Sequence, residues 1–229
     1  MHVGNDMTSI DSSQVALRAT EIRQRINTAG GKNVKLIAVT KTFDVGAMVA
    51  AFDAGCDGVG ENYAQELIAK STELPIAKRL PVHFIGRLQS NKIKLMAGLV
   101  DVWQSVDRVE LINEIAKRCV KPCAVDRPQI MLQVNATDEP DKGGCKPHEV
   151  SNLLETATAK GLEVLGLMTV GPTSNEAQST QRSFRLVRKL VDDLGLKQCS
   201  MGMTGDLEIA IAEGSTMIRV GSALFGPRR

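Results

Sequence analysis

The sequence predicts an α/β protein built as a single (β/α)8 TIM barrel. Short apolar runs alternate with amphipathic helical stretches from residue 35 onward, and eight such runs can be counted. No linker or low-complexity stretch divides them, so residues 1–229 are read as one domain. A doubly wound open sheet shares the alternation, and the count of eight strands favours the barrel.

The first element is a helix over residues 12–29. Val15, Ala19, Ile22, Ile26 and Ala29 recur at helical spacing and make one apolar face. Glu21 and Gln24 fall opposite, Arg18, Arg23 and Arg25 flank the stripe, and Leu17 lies off it. Gly30-Gly31 ends the helix. The alternation then starts with a strand over 35–40, a helix over 45–54 closed by Gly55, a very short strand over 57–60 and a helix over 63–70. A strand over 82–85, a helix over 91–97 and a strand over 100–105 follow. Next come a helix over 109–119, N-capped by Asp107, and an apolar strand over 129–135. A polar loop over 136–147 carries Gly143-Gly144 and leads to a helix over 148–159. A strand over 162–168, a long helix over 176–194, a short strand over 198–200, a helix over 207–213 and a strand over 216–220 complete the series. Too little chain follows residue 220 for a full eighth helix, and the N-terminal helix is expected to fill that gap in the outer ring.

Composition narrows the function. The chain is 43% hydrophobic and 24% charged, as a soluble protein with a sizeable core should be. A net charge of +2 gives no broad footprint for nucleic acid. The apolar runs are too short to span a bilayer, and residues 1–13 lack an apolar signal segment, so a cytoplasmic protein is expected. Cys56, Cys119, Cys123, Cys145 and Cys199 are odd in number and scattered, which favours reduced thiols. Of His2, His83 and His148, only His148 has a ligand-like partner, Cys145. A zinc site needs three or four ligands, so no metal is expected.

In a barrel, everything that follows a strand gathers at one mouth. The first strand, Leu36-Ile37-Ala38-Val39-Thr40, ends in Lys41. A part-buried lysine there can lose its proton and attack a carbonyl to form a Schiff base; a solvated lysine after a strand is the plain alternative. Glu61 and Asn62 follow the second strand, Gly86-Arg87 the third, Asn135 the fifth and Met168-Thr169 the sixth. Ser200-Met201-Gly202-Met203-Thr204 follows the seventh and Gly221-Ser222 the eighth. Loops after strands seven and eight often make a phosphate site, with glycines admitting backbone N–H groups and Ser200, Thr204 and Ser222 adding hydroxyls. Turn glycines and helix caps read the same way. Gly58-Val59-Gly60-Glu61-Asn62-Tyr63 starts like a dinucleotide fingerprint but has Tyr63 at the sixth position. Asn62 also reads as a helix cap, and Arg219 in its apolar strand either snorkels outward or points into the mouth. His83 reads as structural, Asp141-Lys142 as a solvated loop, and Met201 and Met203 as packing residues.

Several longer motifs carry a family resemblance. They include Ala38-Val39-Thr40-Lys41, Gly60-Glu61-Asn62-Tyr63-Ala64-Gln65-Glu66 and His83-Phe84-Ile85-Gly86-Arg87-Leu88-Gln89-Ser90-Asn91-Lys92. Gly166-Leu167-Met168-Thr169, Ser200-Met201-Gly202-Met203-Thr204-Gly205-Asp206 and Ile218-Arg219-Val220-Gly221-Ser222-Ala223-Leu224-Phe225-Gly226 continue in order. Together they resemble the pyridoxal-phosphate homeostasis proteins. The resemblance implies a barrel like the first domain of alanine racemase, with Lys41 holding pyridoxal 5′-phosphate as an internal aldimine. It implies that Asn62 lines the cofactor, that Ser200, Gly202, Thr204, Gly221 and Ser222 surround its phosphate, and that Arg219 lies near the pyridine ring. It implies a carrier or regulator of vitamin B6 and amino-acid balance, without an established turnover. A monomer is expected, with the cofactor and apo-enzymes that use it as partners. A pyridoxal-phosphate racemase is the alternative, and a cofactor-free aldolase a third. Two departures stand out. Thr42-Phe43-Asp44 follows Lys41 where the family has a Lys-Pro pair, and Cys145 stands where an aliphatic residue is common.

Overall fold

The computed structural model describes residues 10–119, 127–174 and 176–227. Residues 1–9, which include His2, and Cys123 lie outside them. Eight parallel strands close into a barrel in chain order. They are β1 Lys35–Val39, β2 Gly58–Glu61, β3 Val82–Phe84, β4 Val102–Val106, β5 Gln129–Gln133, β6 Glu163–Met168, β7 Gln198–Ser200 and β8 Met217–Val220. Around them run α1 Ser12–Thr28, α2 Val45–Asp53, α3 Ala64–Glu73, α4 Ser90–Met96, α5 Val109–Cys119, α6 Val150–Ala159, α7 Ala177–Asp193, α8 Leu207–Ala212 and α9 Ser222–Phe225.

The alternation of side chains along each strand separates two cores. Ile37, Val102, Met131, Met168 and Met217 fill the barrel interior. Leu36, Ala38, Trp103, Leu132, Ile218 and Val220 pack outward against the helices. β1 is therefore apolar on both faces and reads as one continuous run. Its register sets Ile37 beside Gly58 on one side and Arg219 on the other. Gly166 is required by strand packing, because a Cβ there would stand 1.8 Å from the Gln198 carbonyl oxygen.

Helix α1 fills the expected gap in the outer ring. Asp11 caps it, its carboxylate accepting from the N–H groups of Ser13 and Gln14 at 3.0 and 3.2 Å. Val15, Ala19, Ile22 and Ile26 are buried, and each isoleucine contributes about 1.5–3 kcal/mol of transfer free energy. The three flanking arginines tie the helix to both neighbours. Arg23 donates to Gly55 O and Asp57 beyond α2, Arg25 to Glu208 on α8, and Arg18 to Leu224 O on α9.

The element boundaries differ from the sequence reading by a residue or three, and three local features differ in kind. The four-residue α9 and the single-turn 3-10 helices Ile76–Lys78 and Pro147–Glu149 are too short to show a period. Asp107 does not cap α5. The Asp107 carboxylate accepts from Gly144 N–H and the Arg108 guanidinium, and the helix's first turn closes on the Arg108 carbonyl through Leu111 and Ile112 N–H. Lys142 is not solvated. It donates to Glu139 and to the Gly171 carbonyl, joining the loop after β5 to the loop after β6.

Candidate functional site at the barrel mouth

The carboxyl ends of the strands bring most of the expected residues to one mouth. Lys41 is the second residue beyond β1, and it is half-buried. Ile37 and Val39 both reach toward the position a Gly60 Cβ would take, at 3.4 and 3.5 Å, so the odd-numbered residues of β1 face the axis. Lys41 itself lies in the turn that follows, closed by the Phe43 N–H bond to the Thr40 carbonyl at 3.2 Å. Thr40 falls on the other side, where its hydroxyl donates to Glu61.

Asn62 follows β2 and is no cap. Tyr63 occupies the N-cap of α3, without a side-chain cap bond. The Asn62 side-chain oxygen is buried and has no hydrogen-bond partner in the protein. Such an atom costs about 1–3 kcal/mol unless something donates to it. Gly86 closes in from the end of β3, where a Cβ would stand 2.1 Å from the Asn62 carbonyl oxygen. Ser105 donates to the Gly86 carbonyl at 2.6 Å and holds that approach.

The turn after β7 depends on Gly202. Its φ of +96° lies in the left-handed region, and a Cβ would stand 2.5 Å from Ala210 Cβ. Asp206 accepts from Met203 N–H at 2.6 Å, and Arg25 of α1 donates to the Thr204 carbonyl at 3.1 Å. Met201 is fully buried, as a packing residue should be, whereas Met203 is 40% exposed at the rim and packs on nothing that would bury it. Gly221 is buried, and Ser222 opens α9 on the exposed side.

Arg219 forms the floor of this mouth. It points inward, not outward, and is 4% exposed. Its guanidinium donates to Ser200 Oγ at 2.6 Å and to the Thr169 carbonyl at 2.7 Å. Ser200 Oγ lies 2.8 Å from Gln104 Oε1, and Gln104 Nε2 lies 2.7 Å from His83 Nδ1. Arginine only donates, so the direction of the whole chain follows. Ser200 accepts from Arg219 and donates to Gln104, whose amide donates to His83 Nδ1. The imidazole therefore carries its proton on Nε2. Burial, with Lys35 and Arg219 nearby, pushes His83 down to about 4, so it is neutral at pH 7. Burial also pulls Arg219 down, to about 10, which leaves it charged. Among the described residues no carboxylate lies within ion-pair distance of Arg219.

Two groups of residues here escaped the sequence reading. Gln104 lies in the run Val102-Trp103-Gln104-Ser105-Val106, where a polar residue between apolar ones looks like an ordinary outward position. Ser200 is at the mouth as expected, but its hydroxyl is committed to Arg219 and Gln104. Behind the wall, Lys70 of α3 forms a buried ion pair with Glu61 at 2.7 Å. Burial pushes the Glu61 carboxyl up, and Lys70 draws it back. In the sequence Glu66 and Lys70 look like a surface i, i+4 pair.

Comparison with known proteins agrees with this fold. The family model for the alanine racemase N-terminal domain matches residues 10–229. The chain is 37% identical over 224 residues to the pyridoxal phosphate homeostasis protein of Pseudomonas aeruginosa, covering 95% of each chain. It is 36% identical over 225 residues to the protein of the same name from Aquifex aeolicus, covering 93% of this chain and 97% of the relative. Among solved structures, PipY of Synechococcus elongatus with pyridoxal phosphate bound superposes with a TM-score of 0.79 at 33% identity, covering 93% of this chain and 100% of PipY. By this identity over nearly its whole length, the chain belongs to the pyridoxal phosphate homeostasis protein family, and its barrel matches the alanine racemase N-terminal domain.

Proposed function

We propose that this chain holds pyridoxal 5′-phosphate in the barrel mouth, covalently through Lys41 Nζ, and serves vitamin B6 homeostasis instead of amino-acid turnover. The observation that carries the reading is Arg219. A charged guanidinium buried with no carboxylate in ion-pair contact, and with Asp206 acting on it only at longer range, costs several kcal/mol. Keeping it at the floor of a mouth rimmed by Lys41 and an unpartnered Asn62 oxygen is consistent with a ligand that supplies acceptors and at least one donor. The relative PipY, solved with pyridoxal phosphate, supports the identity of that ligand.

The residues fit the group. Asn62 Oδ1 is an acceptor for a ligand N–H or O–H. Gly202, Thr204, Gly221 and Ser222 offer backbone N–H groups and hydroxyls to a phosphate. Ser200 acts from below by holding Arg219. When bound, the cofactor supplies an aldehyde carbon that a neutral amine takes up as C=N with loss of one water. Lys41 provides that amine. Arg219 has no acceptor to offer, so it would not stabilise a protonated ring nitrogen placed against it. In this reading the protein works in the cytoplasm as a monomer, and its partners are the cofactor and the apo-enzymes that use it, with neither nucleic acid nor membrane. No helix among the described residues is long and apolar enough to cross a bilayer.

Racemisation needs a proton taken from one face of a substrate and returned to the other. Lys41 serves one face. The chain has one tyrosine, Tyr63, and it is 50% exposed at the start of α3. A missing general base removes roughly 10²–10⁴-fold in rate. The test follows α-proton exchange and chirality of alanine, serine and other amino acids with the cofactor-loaded protein. Only slow exchange is expected. Turnover of about one per second or faster, typical of enzymes, that disappears in Lys41→Ala would replace this reading with a racemase.

A further inference from the structure

We propose that Glu61, Glu66 and Lys70 are positioning residues for Lys41, forming a clamp that fixes the peptides on both sides of it. The proposal rests on the reading that Lys41 is the covalent anchor.

On the N-terminal side, Thr40 is fully buried and all its polar groups are engaged. Its N–H donates to the Gly60 carbonyl at 3.0 Å. Its hydroxyl donates to Glu61 Oε1 at 2.6 Å, and its carbonyl accepts from Lys70 Nζ at 2.8 Å. Lys70 also donates to Glu61 Oε1 at 2.7 Å, so the three groups close a triangle. On the C-terminal side, Thr42 N–H donates to Glu66 Oε2 at 2.7 Å. Glu66 in turn lies 3.6 Å from Lys70, one turn along α3. One ammonium and two carboxylates therefore hold residues 40 and 42, the immediate neighbours of Lys41.

The backbone adds a second, independent sign. Thr42 has a φ of +67°, in the left-handed region that a β-branched residue avoids. Such a conformation persists where its surroundings over-determine it, and it gathers at functional sites. Here the carboxylate of Glu66 holds the strained amide. Phe43, next along, packs its ring 5.2 Å from that of Phe225 on α9, which fixes where the chain leaves the clamp. The buried Lys70–Glu61 pair holds the peptide before the mouth lysine, and Glu66, beside Lys70 on the same helix, holds the peptide after it. The long lysine side chain magnifies any rotation of those peptides into displacement of its amine, and about 1 Å of misplacement costs up to ~100-fold in rate.

The experiment uses the full chain, first without cofactor. Amide hydrogen exchange at Thr42 and the rate of forming a borohydride-reducible link with added pyridoxal phosphate are measured in wild type, Glu66→Ala and Glu66→Gln. Glu66→Ala is expected to speed Thr42 exchange and to slow link formation by roughly 10- to 100-fold. Glu66→Gln, whose amide carbonyl still accepts from Thr42, is expected to recover most of that loss. The paired change Glu61→Gln with Lys70→Met strands no buried charge and is expected to slow link formation similarly. If that pair does not fold, the Glu66 variants decide alone. Thr42 exchange and link formation that match wild type in Glu66→Ala overturn the clamp, as does a Glu66→Gln variant as slow as Glu66→Ala. If the wild type forms no reducible link at Lys41, the cofactor reading fails, and Thr42 exchange in the apo-protein still decides whether Glu66 holds that peptide.

Discussion

Replacing Arg219 by methionine separates a residue kept for a ligand from one kept for the fold. The change keeps length and apolar volume and removes the charge. It deletes two charge-assisted hydrogen bonds, to Ser200 and to the Thr169 carbonyl, each worth about 1.5–3 kcal/mol. Against that loss of about 3–6 kcal/mol stands relief from desolvating a guanidinium that Asp206 reaches only beyond ion-pair distance, also several kcal/mol. The two nearly cancel, so the apo-protein is expected to change stability by no more than about 2 kcal/mol in urea unfolding. Ligand binding has no such offset. Losing one buried charged partner costs about 2–5 kcal/mol, which raises Kd for pyridoxal phosphate roughly 30- to 4,000-fold. The assay pairs apo-protein unfolding with fluorescence titration of the cofactor. A loss of more than about 4 kcal/mol in the apo-protein with Kd unchanged would make Arg219 a structural residue and refute the argument.

Two further outcomes follow from the same geometry. Lys41→Ala is expected to abolish the reducible link while some cofactor stays bound, because in the proposed reading the turns around Gly202 and Gly221 would hold the phosphate independently; loss of all binding on equilibrium dialysis would contradict this. His83 should stay neutral from pH 8 to pH 5, its ring protons in NMR titrating near 4 instead of the ordinary value of about 6.5. The unfolded chain takes up that proton at about 6.5 and the folded chain only near 4, so stability should fall as pH drops through that interval. Titration at 6.5 in the folded protein would break the hydrogen-bond chain through Gln104.

The barrel was legible because its strands are buried on both faces and its helices carry full apolar stripes. Ile37 between Leu36 and Ala38 announces a buried strand, and Val15, Ala19, Ile22 and Ile26 announce a docked helix. Elements of about one turn, such as Ser222–Phe225, leave no such mark. Lys41, Asn62 and the turns at Gly202 and Gly221 were legible because a strand end in a barrel has a known destination. What supports them was not. Gln104 reads as one polar residue in an apolar strand, and only closure of the barrel brings it between Ser200, 96 residues later, and His83. Lys70 reads as a solvated partner of Glu66 on α3, and only the approach of β2 shows that it is buried on Glu61. Asp107 and Lys142 were misread for the same reason, since their partners lie in loops that only the closed barrel brings near.

The central claim is that Lys41 is the covalent anchor of pyridoxal phosphate. The most direct measurement loads the wild-type protein with the cofactor, reduces it with borohydride and maps the modified peptide by mass spectrometry. A single fixed cofactor is expected, on the peptide that carries Lys41. A cofactor fixed on another lysine, or none fixed at all, contradicts it.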